Sequence, residues 1–278
     1  MAKVTILQLQ KMKEQGEKIS MTTAYDYPTA HFVDKAGIEV ILVGDSLAMT
    51  VLGLDSTVPV TMEDMIHHIR PVVRGAPNAM IVGDMPFGSY NQAKEQGIMN
   101  ATRLMKEGGC DVVKLEGGTE VADTVKAIVD AGVPVMGHIG LTPQTISKLG
   151  GFKVQGKDVA AVKNLLDSAL ALEAAGAFSL VMEAVPEEAG KLITRKLRIP
   201  TIGIGAGRYC DGQVLVFHDM VGLFEKFLPK FVKRYANLGP EVVKALEAFK
   251  KETKEGSFPG VENTFGGVTE EDLKGLYS

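Results

Sequence analysis

The feature that most narrows what this chain can fold into is a repeated alternation of short apolar, β-branched runs with longer stretches of helical periodicity. Eight such runs, at 19–24, 39–44, 80–85, 111–117, 133–139, 179–185, 201–205 and 214–218, are interleaved with helical patterns that include 61–74, 92–107, 119–130, 158–175 and 187–197. That order is the signature of consecutive βα units. Runs such as Val40-Ile41-Leu42-Val43 are apolar without interruption, which requires burial on both faces and hence a parallel sheet wrapped by helices. Eight units predict a single α/β domain, a (β/α)8 TIM barrel, with a doubly wound open sheet as the competing arrangement. Helix punctuation agrees with this reading. Thr61 precedes Glu63 and Asp64 as an N-cap, Pro186 precedes Glu187 and Glu188, and Gly108, Gly132 and Gly176 follow helical stretches as stops.

No Ser/Gly/Pro-rich linker or internal repeat divides the chain, so residues 1–278 are expected to form one barrel domain. An N-terminal helical extension is expected over about 1–17. Helices at 223–238 and 240–254, within a C-terminal extension of about 222–278, exceed what eight βα units need. The apolar Val242, Val243, Leu246 and Phe249 there call for cover, which points to a neighbouring subunit. With 30 Lys and Arg against 34 Asp and Glu the net charge is -4, which gives no basic footprint for nucleic acid. No apolar run is long enough to span a membrane, and the N-terminus lacks the apolar core of a signal peptide. The two cysteines, Cys110 and Cys210, form no C-x-x-C pair, so a reducing cytoplasm is the expected location.

Barrel enzymes carry their chemistry at the C-terminal ends of the strands. Five consecutive strands of this chain end in ionisable residues: Asp45 after strand two, Asp84 on three, Lys114 and Glu116 on four, His138 on five and Glu183 on six. Taken singly, Asp45 and Asp84 read as helix caps or turn residues. Together, two carboxylates on neighbouring strands repel unless a cation lies between them, and hard oxygen ligands suit Mg²⁺. Glu116 is a third acidic candidate, close enough to reach the metal directly or through water. Lys114 and Glu116, two apart, share a strand face; they either form an internal ion pair or offer an ammonium to an anionic substrate. Glu183 is the lone charge of an apolar strand, where desolvation moves a carboxyl pKa toward that of an efficient general base; a buried structural salt bridge is the other reading. His138 is either a hydrogen-bonded core histidine or a polariser of a substrate carbonyl.

Six segments resemble those of the ketopantoate hydroxymethyltransferase family: Met21-Thr22-Thr23-Ala24-Tyr25-Asp26, Val43-Gly44-Asp45-Ser46-Leu47, Gly83-Asp84-Met85-Pro86-Phe87-Gly88-Ser89-Tyr90, Lys114-Leu115-Glu116-Gly117, Gly137-His138-Ile139-Gly140-Leu141-Thr142-Pro143-Gln144 and Gly203-Ile204-Gly205-Ala206-Gly207. They run in order over nearly the whole chain, without departure at the functional positions. The resemblance implies a barrel enzyme that transfers the one-carbon unit of 5,10-methylenetetrahydrofolate to 3-methyl-2-oxobutanoate through a Mg²⁺-stabilised enolate, giving 2-dehydropantoate on the way to pantothenate and coenzyme A. By the same resemblance Asp45 and Asp84 ligate Mg²⁺ with Glu116 as a further ligand. Asp45, Ser46, Asp84 and Lys114 hold the keto acid, and Glu183 accepts the proton. A homodecamer built as a pentamer of dimers is also implied. Two alternatives stand beside it: a Mg²⁺ barrel of the phosphoenolpyruvate mutase and isocitrate lyase type, and a non-catalytic metabolite-binding barrel.

Overall fold

The computed structural model describes residues 2–149, 151 and 153–276. Its eight strands are β1 Ile19–Thr23, β2 Val40–Val43, β3 Met80–Asp84, β4 Val112–Glu116, β5 Val135–Gly140, β6 Ser179–Glu183, β7 Thr201–Ile204 and β8 Gly212–Leu215. All pair in parallel and in chain order, and β8 closes on β1. Closure removes both sheet edges, so the fold is the (β/α)8 barrel and not the open doubly wound sheet. The pleat sends alternate residues to opposite faces. Met21, Val40, Leu42, Met80, Val82, Val112, Met136, Val181, Ile202 and Val214 fill the barrel interior. Ile41, Val43, Ile81, Val113, Leu115, Val135, Leu180 and Met182 pack outward against the helices. The two sets interleave along each strand, which is why the runs read as continuously apolar.

The N-terminal extension closes one end of the barrel. Thr5 caps the helix Ile6–Gln15 by accepting from the Gln8 N–H, and Gly16, with φ 70°, ends it in the left-handed region. Leu9 and Met12 join the interior cluster beside Ile19 at the start of β1. Lys13 Nζ lies 2.6 Å from Asp211 Oδ2, and that same oxygen accepts from the Thr201 N–H at 2.9 Å. The helix is thereby fastened to the N-terminal ends of β7 and β8.

The predicted punctuation holds at most positions. Thr61 and Asp64 form a reciprocal capping box on the helix Met62–Gly75, and Gly132 and Gly176 adopt φ of 91° and 97° after their helices. Gly108 does not act as a stop. The helix Lys94–Arg103 widens into a π-turn over Leu104–Gly108, and Gly109 at φ 89° ends it. His218 lies in the short helix Phe217–Met220 instead of on the eighth strand.

The helix expected over 223–238 does not form. Pro229 has no N–H and disfavours helix in the residue before it. The Phe231 ring is drawn instead to Gly205, where an added Cβ would meet it at 2.6 Å. The segment folds back, with the Tyr235 N–H donating to Met220 O and the Leu238 N–H to Val221 O. The last long helix is Leu238–Glu255, and none of its residues is buried; Val242, Val243, Leu246 and Phe249 are 48–62% exposed. Among the described residues no helix is long and apolar enough to cross a membrane, and Cys110 and Cys210 are free and buried.

Two measurements check this architecture. Leu9, 1% exposed, fills the closed end, so Leu9→Ala is expected to cost about 2–5 kcal/mol in denaturant unfolding; a loss below about 1 kcal/mol would show that the helix is not part of the core. The bare apolar face of Leu238–Glu255 is expected to be covered by another copy of the chain, and a monodisperse monomer in light scattering at micromolar concentration would rule this out.

Candidate active site

The strand pleat explains where the polar side chains go. Asp84, Lys114, Glu116, His138 and Glu183 occupy the same alternation as Val82, Val112, Met136 and Val181 below them, so they point inward above the apolar interior. The register makes them neighbours: Asp84 pairs with Lys114, Glu116 with His138 and Gly140 with Glu183. Lys114 Nζ stands 2.7 Å from Asp84 Oδ1 and 3.8 Å from Glu116 Oε1. Asp45 enters from the loop after β2, and its backbone N–H donates to Asp84 Oδ2 at 3.1 Å. Asp45, Asp84, Lys114, Glu116 and His138 are all buried, while the Glu183 side chain keeps 16% of its surface.

His138 joins the two halves of the cluster. Its Nδ1 is 3.3 Å from Glu116 Oε1 and its Nε2 3.4 Å from Glu183 Oε2. Neither ring nitrogen reaches hydrogen-bond alignment, so these are charge contacts. Burial and the Lys114 charge push the imidazole down, but the carboxylates on either side outweigh them and hold it up at about 9, which leaves it cationic at neutral pH. Burial, followed by the neighbouring acids, raises Asp45 above the usual carboxylate range. Burial likewise raises Asp84 in spite of its ion pair with Lys114. Glu116 is lowered, because His138, Lys114 and the Gln144 N–H overcome its burial. Burial depresses Lys114, but Asp84, Glu116 and Asp45 more than reverse this.

Three buried carboxylates therefore face one ammonium and one imidazolium. The donor set fits a hard divalent cation at the Asp45–Asp84 corner. Both groups are oxygen donors held against their ionisation, and Asp45 Oδ1 makes no hydrogen bond among the described residues. Glu116 stands beside them with Oε1 facing His138 and Oε2 accepting from the Gln144 N–H at 3.1 Å, placed to reach the ion directly or through water. No group of three His, Cys, Asp or Glu residues among those described is already gathered as a metal cage.

Ser46, next to Asp45, is half-buried; its hydroxyl lies 2.7 Å from that of Tyr25, which burial pushes up to about 12 and so keeps neutral. Three further features escape a reading by motif and period. Gln144, 3% exposed, bonds Asp45 Oδ2 and Met85 O through its amide nitrogen. Tyr90 OH donates to Gln144 Oε1 at 2.8 Å. Ala184, immediately after Glu183, sits at φ 48°, the one positive φ outside glycine among the described residues; such strain gathers at functional sites.

The fold and this cluster define a class: a (β/α)8 barrel enzyme whose charged side chains converge at the C-terminal mouth. Comparison with known proteins makes it specific, because the model of the family described as ketopantoate hydroxymethyltransferase matches residues 3–261 and the chain belongs to that family. It is 60% identical over 275 residues to the 3-methyl-2-oxobutanoate hydroxymethyltransferase of Heliobacterium modesticaldum, covering 99% of both chains. It is 56% identical over 277 residues to that of Syntrophomonas wolfei, covering all of both. The chain is accordingly a hydroxymethyltransferase. Solved structures of the same fold include phosphonopyruvate hydrolase, with TM-score 0.61, 11% identity and coverage of 98% and 94%. Another is 2,3-dimethylmalate lyase of the PEP mutase/isocitrate lyase superfamily, with TM-score 0.57, 16% identity and coverage of 96% and 93%.

Gly140 tests how tightly the backbone sets Glu183. It lies at φ +97°, and a Cβ there would clash with Glu183 O. Gly140→Ala must displace β6, and a shift of about 1 Å in a reacting group can cost roughly 10²-fold. Turnover should fall by about that factor; near-normal turnover would show that Glu183 is not fixed through this contact.

Proposed function

We propose that the chain transfers the one-carbon unit of 5,10-methylenetetrahydrofolate to 3-methyl-2-oxobutanoate, forming 2-dehydropantoate for pantothenate and coenzyme A synthesis in the cytoplasm. The observation that carries the chemistry is the division of the cluster: a sealed corner of Asp45, Asp84 and Lys114, and a partly open Glu183, linked through Glu116 and His138. The names of the relatives support the reaction, and the buried oxygen donors support a Mg²⁺ requirement.

In this reading Asp45 and Asp84 hold Mg²⁺, with Glu116 beside them. When bound, the ion acts as a Lewis acid on the 2-oxo acid and makes the carbon next to the keto group more acidic. Lys114, together with Ser46 and the two aspartates, binds the keto acid, its ammonium balancing the substrate carboxylate. Glu183 takes the proton from the branched carbon. Its Oε2 is held beside His138, and its Oε1 makes no hydrogen bond among the described residues. Water cleaves the two C–N bonds that hold the methylene unit, its hydrogens going to the folate nitrogens as tetrahydrofolate leaves and its oxygen staying on the one-carbon unit as formaldehyde. The deprotonated carbon attacks that carbon, a C–C bond forms as the C=O π bond breaks, and the resulting alkoxide takes the proton back from Glu183 to become the hydroxyl. The cationic Lys114 and His138 offset the negative charge that develops between them. The bare helix Leu238–Glu255 supports a homo-oligomer, for which family resemblance suggests a decamer built as a pentamer of dimers.

Enolisation can be followed alone. With Mg²⁺ and 3-methyl-2-oxobutanoate in D₂O and no folate, the protein is expected to exchange the single hydrogen on the branched carbon. Glu183→Gln should slow exchange by about 10²–10⁴-fold while calorimetry still detects keto acid binding. Undiminished exchange would move the base elsewhere. EDTA should abolish both exchange and transfer, with recovery on adding Mg²⁺; full activity with normal metal affinity in Asp84→Ala would refute the cation assignment.

A further inference from the structure

Gln144 sits in the 3-10 turn Pro143–Thr145 beyond β5 and turns its backbone N–H and its whole side-chain amide to the site. Its backbone N–H goes to Glu116 Oε2 at 3.1 Å. The two amide hydrogens go to Asp45 Oδ2 at 3.0 Å and Met85 O at 2.9 Å. The amide oxygen accepts from Tyr90 OH at 2.8 Å. The opposite amide orientation would set the amide oxygen against the Met85 carbonyl, two acceptors with no hydrogen between them, so the network allows one orientation. Tyr90 is fixed in turn. It is 2% exposed, its hydroxyl oxygen accepts from the Glu116 N–H at 3.1 Å, and its own hydrogen has Gln144 Oε1 at 2.8 Å as its nearer acceptor, ahead of Glu116 O at 3.1 Å.

The carboxylate at the end of this chain is strongly constrained. Asp84 has both oxygens engaged, Oδ1 by Lys114 and Oδ2 by the Asp45 N–H. Asp45 has one oxygen engaged, by Gln144, so the Gln144 amide decides how the other is turned. We propose that Gln144, held in orientation by Tyr90, is a positioning residue that turns the Asp45 carboxylate toward the divalent cation. This rests on the assignment of Asp45 as a cation ligand. Partners that orient a metal ligand typically contribute 10–100-fold in metal affinity or activity.

The test titrates metal-free protein with Mn²⁺ by calorimetry, without substrate, in the wild type and in Gln144→Met, Tyr90→Phe and Asp45→Asn. Gln144→Met keeps the length of the side chain and removes the amide; its Mn²⁺ Kd is expected to rise about 10–100-fold. Tyr90→Phe keeps the ring and frees the amide to turn, and should raise Kd about fivefold, the effect of one neutral hydrogen bond. Because the defect lies in holding the ion, excess Mn²⁺ should restore most of the kcat of both variants, which it would not do for a merely structural loss. If Gln144→Met does not fold, Tyr90→Phe carries the test alone. Unchanged Kd in the Gln144 and Tyr90 variants, with Mn²⁺ binding lost in Asp45→Asn, overturns the positioning role and leaves the cation assignment standing. Mn²⁺ binding unaffected by Asp45→Asn overturns both.

Discussion

The ammonium of Lys114 makes the rest of the site possible. Carboxylates from three elements, Asp45, Asp84 and Glu116, are brought together where little water reaches them, and unpaired charges in such a place are not tolerated. Lys114 offers Asp84 a contact of 2.7 Å and Glu116 one of 3.8 Å. Loss of one partner of a buried pair typically costs about 3–5 kcal/mol. The pair is built into the sheet, because Asp84 and Lys114 are register partners on β3 and β4. The same hydrogen-bonded ladder that closes the barrel therefore neutralises its acids, and the backbone pays most of the ordering entropy before any ligand arrives.

Much of the fold was readable because its cause is periodic. Each strand buries both faces, so each appears as an unbroken apolar run, and eight such runs with helices between them leave few topologies. The inward direction of Lys114 and Glu116 follows from their spacing of two, and the structure places both on the interior face of β4. The part that misled was 223–238, where apolar and basic residues alternate in a way that suits a helix. Pro229 was a local warning against that helix, and the Phe231 ring packed against Gly205 adds a contact across a separation that no local pattern records.

The site was legible to the extent that its members stand on strands. Asp84, Lys114, Glu116, His138 and Glu183 could be gathered from strand ends alone. Gln144 and Tyr90 could not be singled out, although both lie in segments that resemble the family. They act from loops, their spacing of 54 residues carries no period, and an uncharged amide gives no hint of its importance until its partners are in view. Ala184 is more hidden still. Its left-handed φ of 48° comes from what surrounds it, with its N–H donated to Ile204 O and its carbonyl accepting from the Gln155 N–H, and alanine itself has no preference for that conformation.

The helix Ile6–Gln15, laid across the strand starts, turns the barrel into a cul-de-sac. Leu9 and Met12 seal the end away from the charged cluster, with packed apolar layers between, so among the described residues the C-terminal end is the side left for traffic. A reaction of two substrates through one mouth has a compulsory sequence. In the proposed reaction, with the keto acid at Lys114 and the folate above it, the keto acid would enter before the folate and the folate would depart before the product escapes. Kinetic order in such an enzyme is a property of its floor as much as of its catalytic groups.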